Sequence, residues 1–104
     1  MTKYNITAII PAFNEEHNIV DVLKSVDFCD EVILVDSNST DNTVELAKPY
    51  FTKLLTRNYE HSASQKNWAI PQAKHEWILL VDADERVTPA LKEEILNLED
   101  EINE

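Results

Sequence analysis

Short apolar runs alternate with stretches of helical periodicity along the whole chain, a pattern that commits it to a parallel β-sheet with crossover helices. Four strand–helix units can be read. The first strand covers Ile6 to Ile10 and is stopped by Pro11; Asn14 then caps a helix whose Ile19, Val22, Leu23 and Val26 recur at i, i+3, i+4 and i+7. Glu31 to Asp36 is the second strand. It runs into the polar loop Ser37 to Asp41 and a helix over Val44 to Lys48, with Asn38 suited to a left-handed turn position.

Thr52 to Thr56 is a shorter third strand, and a loop from Arg57 to His61 leads to a helix from Ser62 to Ala73, in which Pro71 requires a kink or an early end. The fourth strand is Trp77 to Val81, read as a central strand buried on both faces. Thr88 and Pro89 open the last helix with a cap and a first-turn proline, and Leu91, Ile95 and Leu98 give it an apolar face. An acidic tail expected to fray follows from Glu99, so the domain is taken as residues 1–98 and the tail as 99–104.

At 104 residues the chain makes one domain, able to bury roughly 60 to 70% of its unfolded surface. It contains no glycine, which excludes the Gly-rich Walker and dinucleotide phosphate loops and leaves tight turns to Asn, Asp, Ser and Pro. Twenty acidic against nine basic residues give a net charge of −11, which repels nucleic acid and anionic membranes and favours cations. The single cysteine, Cys29, has no disulfide or zinc partner and reads as a small core or loop residue. No stretch approaches the roughly 20 apolar residues of a membrane span, and no signal peptide opens the chain; a cytoplasmic location is expected.

Chemistry concentrates where strands end. Asp82-Ala83-Asp84 follows the fourth strand, at the crevice where α/β sheets bind ligands, and one carboxylate there can reach a metal while the other meets a sugar hydroxyl or water. A solvated turn is the alternative. Asp36 also ends a strand; it either accepts the imide N–H of a pyrimidine or caps its own loop. Glu15 and Glu16 follow the first strand and can complement a helix dipole, whereas Gln65-Lys66-Asn67 puts a cation and two amides near a helix start, as a phosphate group or ordinary hydration would require. His17, His61 and His75 lack metal-ligand spacing, and Trp68 and Trp77 read as core anchors.

Four segments occur in order: Pro11-Ala12-Phe13-Asn14-Glu15-Glu16, Val35-Asp36-Ser37-Asn38-Ser39-Thr40-Asp41-Asn42-Thr43, Gln65-Lys66-Asn67, and Asp82-Ala83-Asp84-Glu85-Arg86-Val87 behind its apolar run. Together they resemble family 2 glycosyltransferases, in forms similar to the branch that includes lipopolysaccharide-core β-glucosyltransferases. The resemblance covers the chain to about Leu98. It implies an α/β, Rossmann-like GT-A domain of the nucleotide-diphospho-sugar transferase type, with a mostly parallel sheet, that binds a UDP-sugar. Pro11, Ala12 and Glu15 would line the base and ribose pocket, and Asp36, with Ser37 beside it, would meet the uracil edge. Lys66 would approach the nucleotide with support from Asn67. Asp82 and Asp84 would form the D-X-D motif, Asp84 holding Mn²⁺ or Mg²⁺ and Asp82 lying nearer the ribose.

Two departures accompany the resemblance. Asn38 stands where the family commonly has glycine, and the chain ends soon after the D-X-D helix, before the family's acceptor site and catalytic base. The implied molecule is a donor-binding half, serving a glycan or lipid-linked acceptor through a further region and peripheral to the inner membrane face when complete. The alternative is a non-catalytic remnant that self-associates through an exposed sheet edge. A receiver or phosphatase domain is disfavoured, because the first strand ends in Pro11 and not in an acidic nucleophile.

Overall fold

The computed structural model describes residues 5–102, side chains excepted from residue 98 onward. Strands β1 (Ile6–Ala12), β2 (Glu31–Asp36), β3 (Lys53–Thr56) and β4 (Trp77–Leu80) alternate with helices α1 (Ile19–Ser25), α2 (Thr43–Ala47), α3 (Ser62–Ala69) and α4 (Pro89–Ile102). All strand pairs are parallel, in the order β3-β2-β1-β4. This is the expected α/β arrangement. β1 and β2 hold the middle of the sheet, and their runs of apolar residues are buried on both faces.

One face packs Ala8, Ile10, Val32 and Leu34 against Ile19, Val22 and Leu23 of α1, Ala47 of α2 and the half-buried Ile95 of α4. The other packs Ile9, Ile33 and Val35 against Ala69 and Trp68 of α3. Trp68 is thus an anchor, and the Arg57 guanidinium lies 5.2 Å from its ring centroid.

Three local expectations are corrected. Pro11 does not stop β1, which continues to Ala12 in register with Asp36. Pairing with β4 has already ended at Ile9↔Leu80, with a last bond from the Val81 N–H to the Ile9 carbonyl. The next β1 donor on that side belongs to residue 11, so proline loses no bond there. Secondly, Asn14 caps no helix: Asn18 occupies the cap position of α1, and Asn14 has a positive φ of 51°.

Thirdly, β4 is an edge strand among the described residues and not a central one, leaving Trp77 38% and Leu80 39% exposed. Ile78 and Leu79 still pack on opposite faces. The early end that Pro71 demands is found: α3 stops at Ala69, and the proline sits in a 3₁₀ turn over Ile70–Gln72. In α4 the Thr88 hydroxyl accepts from the Leu91 N–H as a cap should, but Leu91 itself is exposed, and the Leu98 side chain lies outside the described residues. The helix continues through residues 99–102 of the stretch expected to fray; 103–104 lie outside the described residues.

Glu31 pins the opposite end of the sheet. Only 4% exposed, it accepts from the Thr7 hydroxyl at 2.9 Å and the Lys74 N–H at 2.9 Å, tying β1 and the approach to β4 onto β2. Burial opposes its ionisation, yet those two donors and the positive Lys74 and His75 outweigh burial and hold its pKa below the ordinary 4.5. A depressed carboxylate stabilises the fold above its unfolded pKa and loses that contribution as pH falls through its folded one. Glu31→Gln is therefore expected to be less stable than wild type at neutral pH, with the gap closing below pH 4.5. Urea unfolding across pH 3 to 7 measures it; a gap independent of pH would contradict the assignment.

Candidate functional site

With no glycine available, the loops after β1 and β2 turn on asparagine and hold one another by side chains. Asn38 has φ 61°, as its sequence position suggested, and its amide bonds Asn58 in the loop after β3. The Asn14 side-chain oxygen accepts from the Thr40 N–H at 2.8 Å, while the N–H groups of Asn14 and Glu15 donate to Ser39 Oγ and Thr43 Oγ1, each at 2.9 Å. Asp41 accepts from the Thr43 hydroxyl and N–H and from the Glu16 N–H. Desolvation raises the Asp41 pKa, but these hydrogen bonds prevail and hold it below its usual value.

Asp36, at the end of β2 and 3% exposed, accepts from Ser39 N at 2.9 Å and Ser39 Oγ at 2.5 Å. The loop-capping role is therefore occupied. A carboxylate offers about four acceptor positions, so capacity for another donor remains.

A cavity of about 270 Å³ opens at the carboxyl ends of β1, β2 and β4, lined by Pro11, Ala12, Phe13, Glu15, Ser37, Tyr59, Asp82, Ala83 and Asp84. It exists because β4 departs from β1 at Leu80, while β1 and β2 run on together to Ala12 and Asp36. Of the residues singled out above, Pro11, Ala12, Glu15, Ser37, Asp82 and Asp84 converge here; Asp36, Lys66 and Asn67 are not among the lining residues. Phe13 and Tyr59, 55% and 62% exposed, add aromatic faces that the sequence reading did not assign. Their signal was two large aromatics set in otherwise polar loops.

The Asp82–Asp84 turn is built rigidly although its carboxylates are exposed. Glu85 Oε1 accepts from the Asp82 N–H and the Asp82 carbonyl accepts from the Glu85 N–H, each at 2.9 Å, while Ala83 is buried. Arg86 donates to the Ala83 carbonyl at 2.9 Å and to Asn18 Oδ1 at 3.0 Å, and Asn18 in turn donates to Glu15 Oε2 at 3.0 Å. The Val87 N–H reaches Ser25 Oγ at 3.1 Å. Neither the Asp82 nor the Asp84 carboxylate accepts a hydrogen bond from another described residue.

Three carboxylates and no basic side chain line this cavity, so an anionic ligand requires a cation to accompany it. No group of three or more His, Cys, Asp or Glu among the described residues forms a cage that could hold a metal alone. Two exposed carboxylates in one stiff turn nevertheless suit Mn²⁺ or Mg²⁺, hard ions commonly bound by one or two carboxylates plus substrate phosphates. The donor set fits.

Several other titratable groups serve the scaffold. A second cavity of about 580 Å³, at the other end of the sheet, is lined by Asp30, Glu31, Thr52, Lys53, Lys74 and His75. Its acids are used internally, Asp30 by the Ile6 N–H and Glu31 as described. Nδ1 of His61 caps α3 by accepting from the Ser64 N–H. Burial, with Asp30 and Asp27 nearby, pushes the Cys29 thiol up to about 12, so it is no nucleophile. No described helix is long and apolar enough to cross a membrane.

Residues 7–103 match the family model described as glycosyl transferase family 2. The lipopolysaccharide core biosynthesis glycosyltransferase LpsC of Rhizobium meliloti is 34% identical over 96% of this chain, which spans 40% of that protein. The crystal structure of Staphylococcus aureus TarS superposes with a TM-score of 0.58 at 31% identity, over 77% of this chain and 16% of that one. Glucosyl-3-phosphoglycerate synthase from Mycobacterium tuberculosis, in complex with Mn²⁺, UDP and glucosyl-3-phosphoglycerate, shares the fold with a TM-score of 0.64 at 22% identity, over 78% of this chain and 34% of that one.

Proposed function

The chain belongs to glycosyl transferase family 2, and on that premise we propose that it is the donor-binding portion of an inverting hexosyltransferase that holds a UDP-sugar with Mn²⁺ or Mg²⁺. The observation that carries this reading is the cavity at the strand ends, with three carboxylates, two aromatic faces and no cation of its own.

Asp84 would be the principal ligand of the metal, with Asp82 nearer the ribose. The ion, when bound, offsets the charge that gathers on a diphosphate as the sugar departs. Arg86 keeps both aspartates in place through the Ala83 carbonyl and Asn18. Pro11, Ala12 and Glu15 border the base and ribose, Phe13 and Tyr59 offer stacking surfaces, and Asp36 accepts the uracil imide N–H. Lys66 is the basic residue assigned to the nucleotide, with support from Asn67, although neither lines the cavity.

The unit is residues 1–98, with 99–104 as its acidic end. The acceptor is a glycan or a lipopolysaccharide-type lipid-linked sugar, met at the cytoplasmic membrane face. None of the residues named here is assigned the base that deprotonates the acceptor hydroxyl. UDP binding with Mn²⁺ is accordingly the direct test: titration calorimetry is expected to give saturable binding with a Kd of about 1 mM or tighter, dependent on the metal. A folded sample that takes up no UDP at millimolar concentration would remove the donor-site reading. A second reading, a nucleotide-binding or self-associating remnant, draws on the exposed Leu80 at the β4 edge and requires light scattering to report a species heavier than the monomer.

A further inference from the structure

One wall of the cavity carries a hydroxyl whose hydrogen-bonding sense is set from beneath. Ser37 lines the cavity, although the residue as a whole is only 6% exposed. Gln65, in the first turn of α3 and 1% exposed, donates from Nε2 to Ser37 Oγ at 2.7 Å. The other half of that amide, Oε1, is buried with no hydrogen-bond partner among the described residues.

A buried amide with one partner can face it in either of two ways. With the oxygen toward Ser37, the amide would accept the serine proton and leave two N–H donors buried and unpaired. With the nitrogen toward Ser37, as found, one N–H is paired, and a carbonyl stands in place of one of those two leftover N–H groups. Unpaired carbonyls are the more tolerated of the two, so the observed orientation is the cheaper one. Its consequence falls on the serine. The oxygen of Ser37 is occupied as an acceptor, and its own hydrogen is given to no other described residue.

We propose that Gln65 is a positioning residue that commits Ser37 to donate a hydrogen bond into the cavity, toward an acceptor oxygen on the nucleoside of the donor. This inference rests on the UDP-site reading above. It adds a polarity: Ser37, which lines the cavity, presents a donor, the complement of a carbonyl oxygen such as those that flank a pyrimidine imide N–H. Gln65 does this without touching the ligand, and its unpaired Oε1 is the residual cost of holding the amide that way round.

The experiment is a double-mutant cycle on UDP affinity, measured by calorimetry with Mn²⁺ on the full chain. Gln65→Leu and Ser37→Ala are each expected to weaken UDP binding roughly five- to tenfold, the loss of one buried neutral hydrogen bond. The double variant should be no weaker than either single one, because the glutamine acts only through the serine. Ser37→Thr, which keeps the hydroxyl, should recover most of the loss. Gln65→Glu preserves the shape but when ionised accepts instead of donating, so it should weaken UDP binding at neutral pH even if the leucine variant proves too unstable to purify. A Gln65 effect that persists in full in the Ser37→Ala background, or a Ser37→Ala protein that binds UDP like wild type, would overturn the proposal while leaving the donor site standing. Failure of the wild-type chain to bind UDP would overturn both.

Discussion

Asp82→Asn and Asp84→Asn together are expected to weaken metal-dependent UDP binding severely while leaving the fold untouched. Both aspartates are exposed and neither accepts a hydrogen bond from another described residue, so the fold draws little on their charge. Thermal unfolding should therefore stay within about 0.5 kcal/mol of wild type. Binding is another matter. The cavity would retain Glu15 as its lone carboxylate, and removal of hard ligands from a site completed by phosphate oxygens should weaken metal-dependent UDP affinity by at least roughly tenfold to a hundredfold. Calorimetry with and without Mn²⁺ separates the two effects. Retention of full metal-dependent affinity in the double variant would show that the ion, if used, is held elsewhere.

The largest loss of stability is expected from Leu34→Ala. Leu34 is fully buried in the middle of β2, between β1 and β3 in the sheet and within the cluster that includes Val22, Leu23 and Ala47. Truncation there removes apolar contacts and leaves a cavity that a strand paired on both sides cannot readily close, at a cost of about 2–5 kcal/mol. For a domain of this size each kcal/mol lowers Tm by about 4–8 °C. Urea unfolding measures the change directly; a loss below about 1 kcal/mol would mean that the helices on that face move in to fill the space. The molecules that remain folded should bind UDP normally, since Leu34 lies in the core and does not line the cavity.

The parts of this molecule that were legible in its sequence are those fixed by neighbours within a few residues. Glu31 to Asp36 reads as a buried strand because consecutive apolar positions leave no polar face, and the structure buries all six residues. The apolar stripe of Ile19, Val22 and Leu23 likewise defines α1. Trp77 to Val81 shows the limit. An apolar run is the same string whether its strand has one neighbour or two, and β4 has one among the described residues.

The site shows the same division. Six of the residues drawn from strand ends converge on one cavity, because parallel strands deliver their carboxyl ends to one side. Asn14 reads locally as a helix cap, and nothing near it marks it as the acceptor for Thr40, 26 positions away. Gln65 and Ser37 are 28 positions apart, and nothing local announces their bond. Phe13 and Tyr59 acquire a shared purpose only once the loops that carry them meet.

Pro11 gives the crevice a permanence that packing alone would not. Two parallel strands that diverge can, in principle, zip further and erase the gap between them, each added bond recruiting the next. Here the next N–H on that seam is absent from the covalent structure itself, directly beyond the bond from Val81 to Ile9. One rung of that seam is thus missing from the chain's chemistry: thermal motion can widen or narrow the opening, but no rearrangement of the backbone can supply a hydrogen bond from the Pro11 nitrogen.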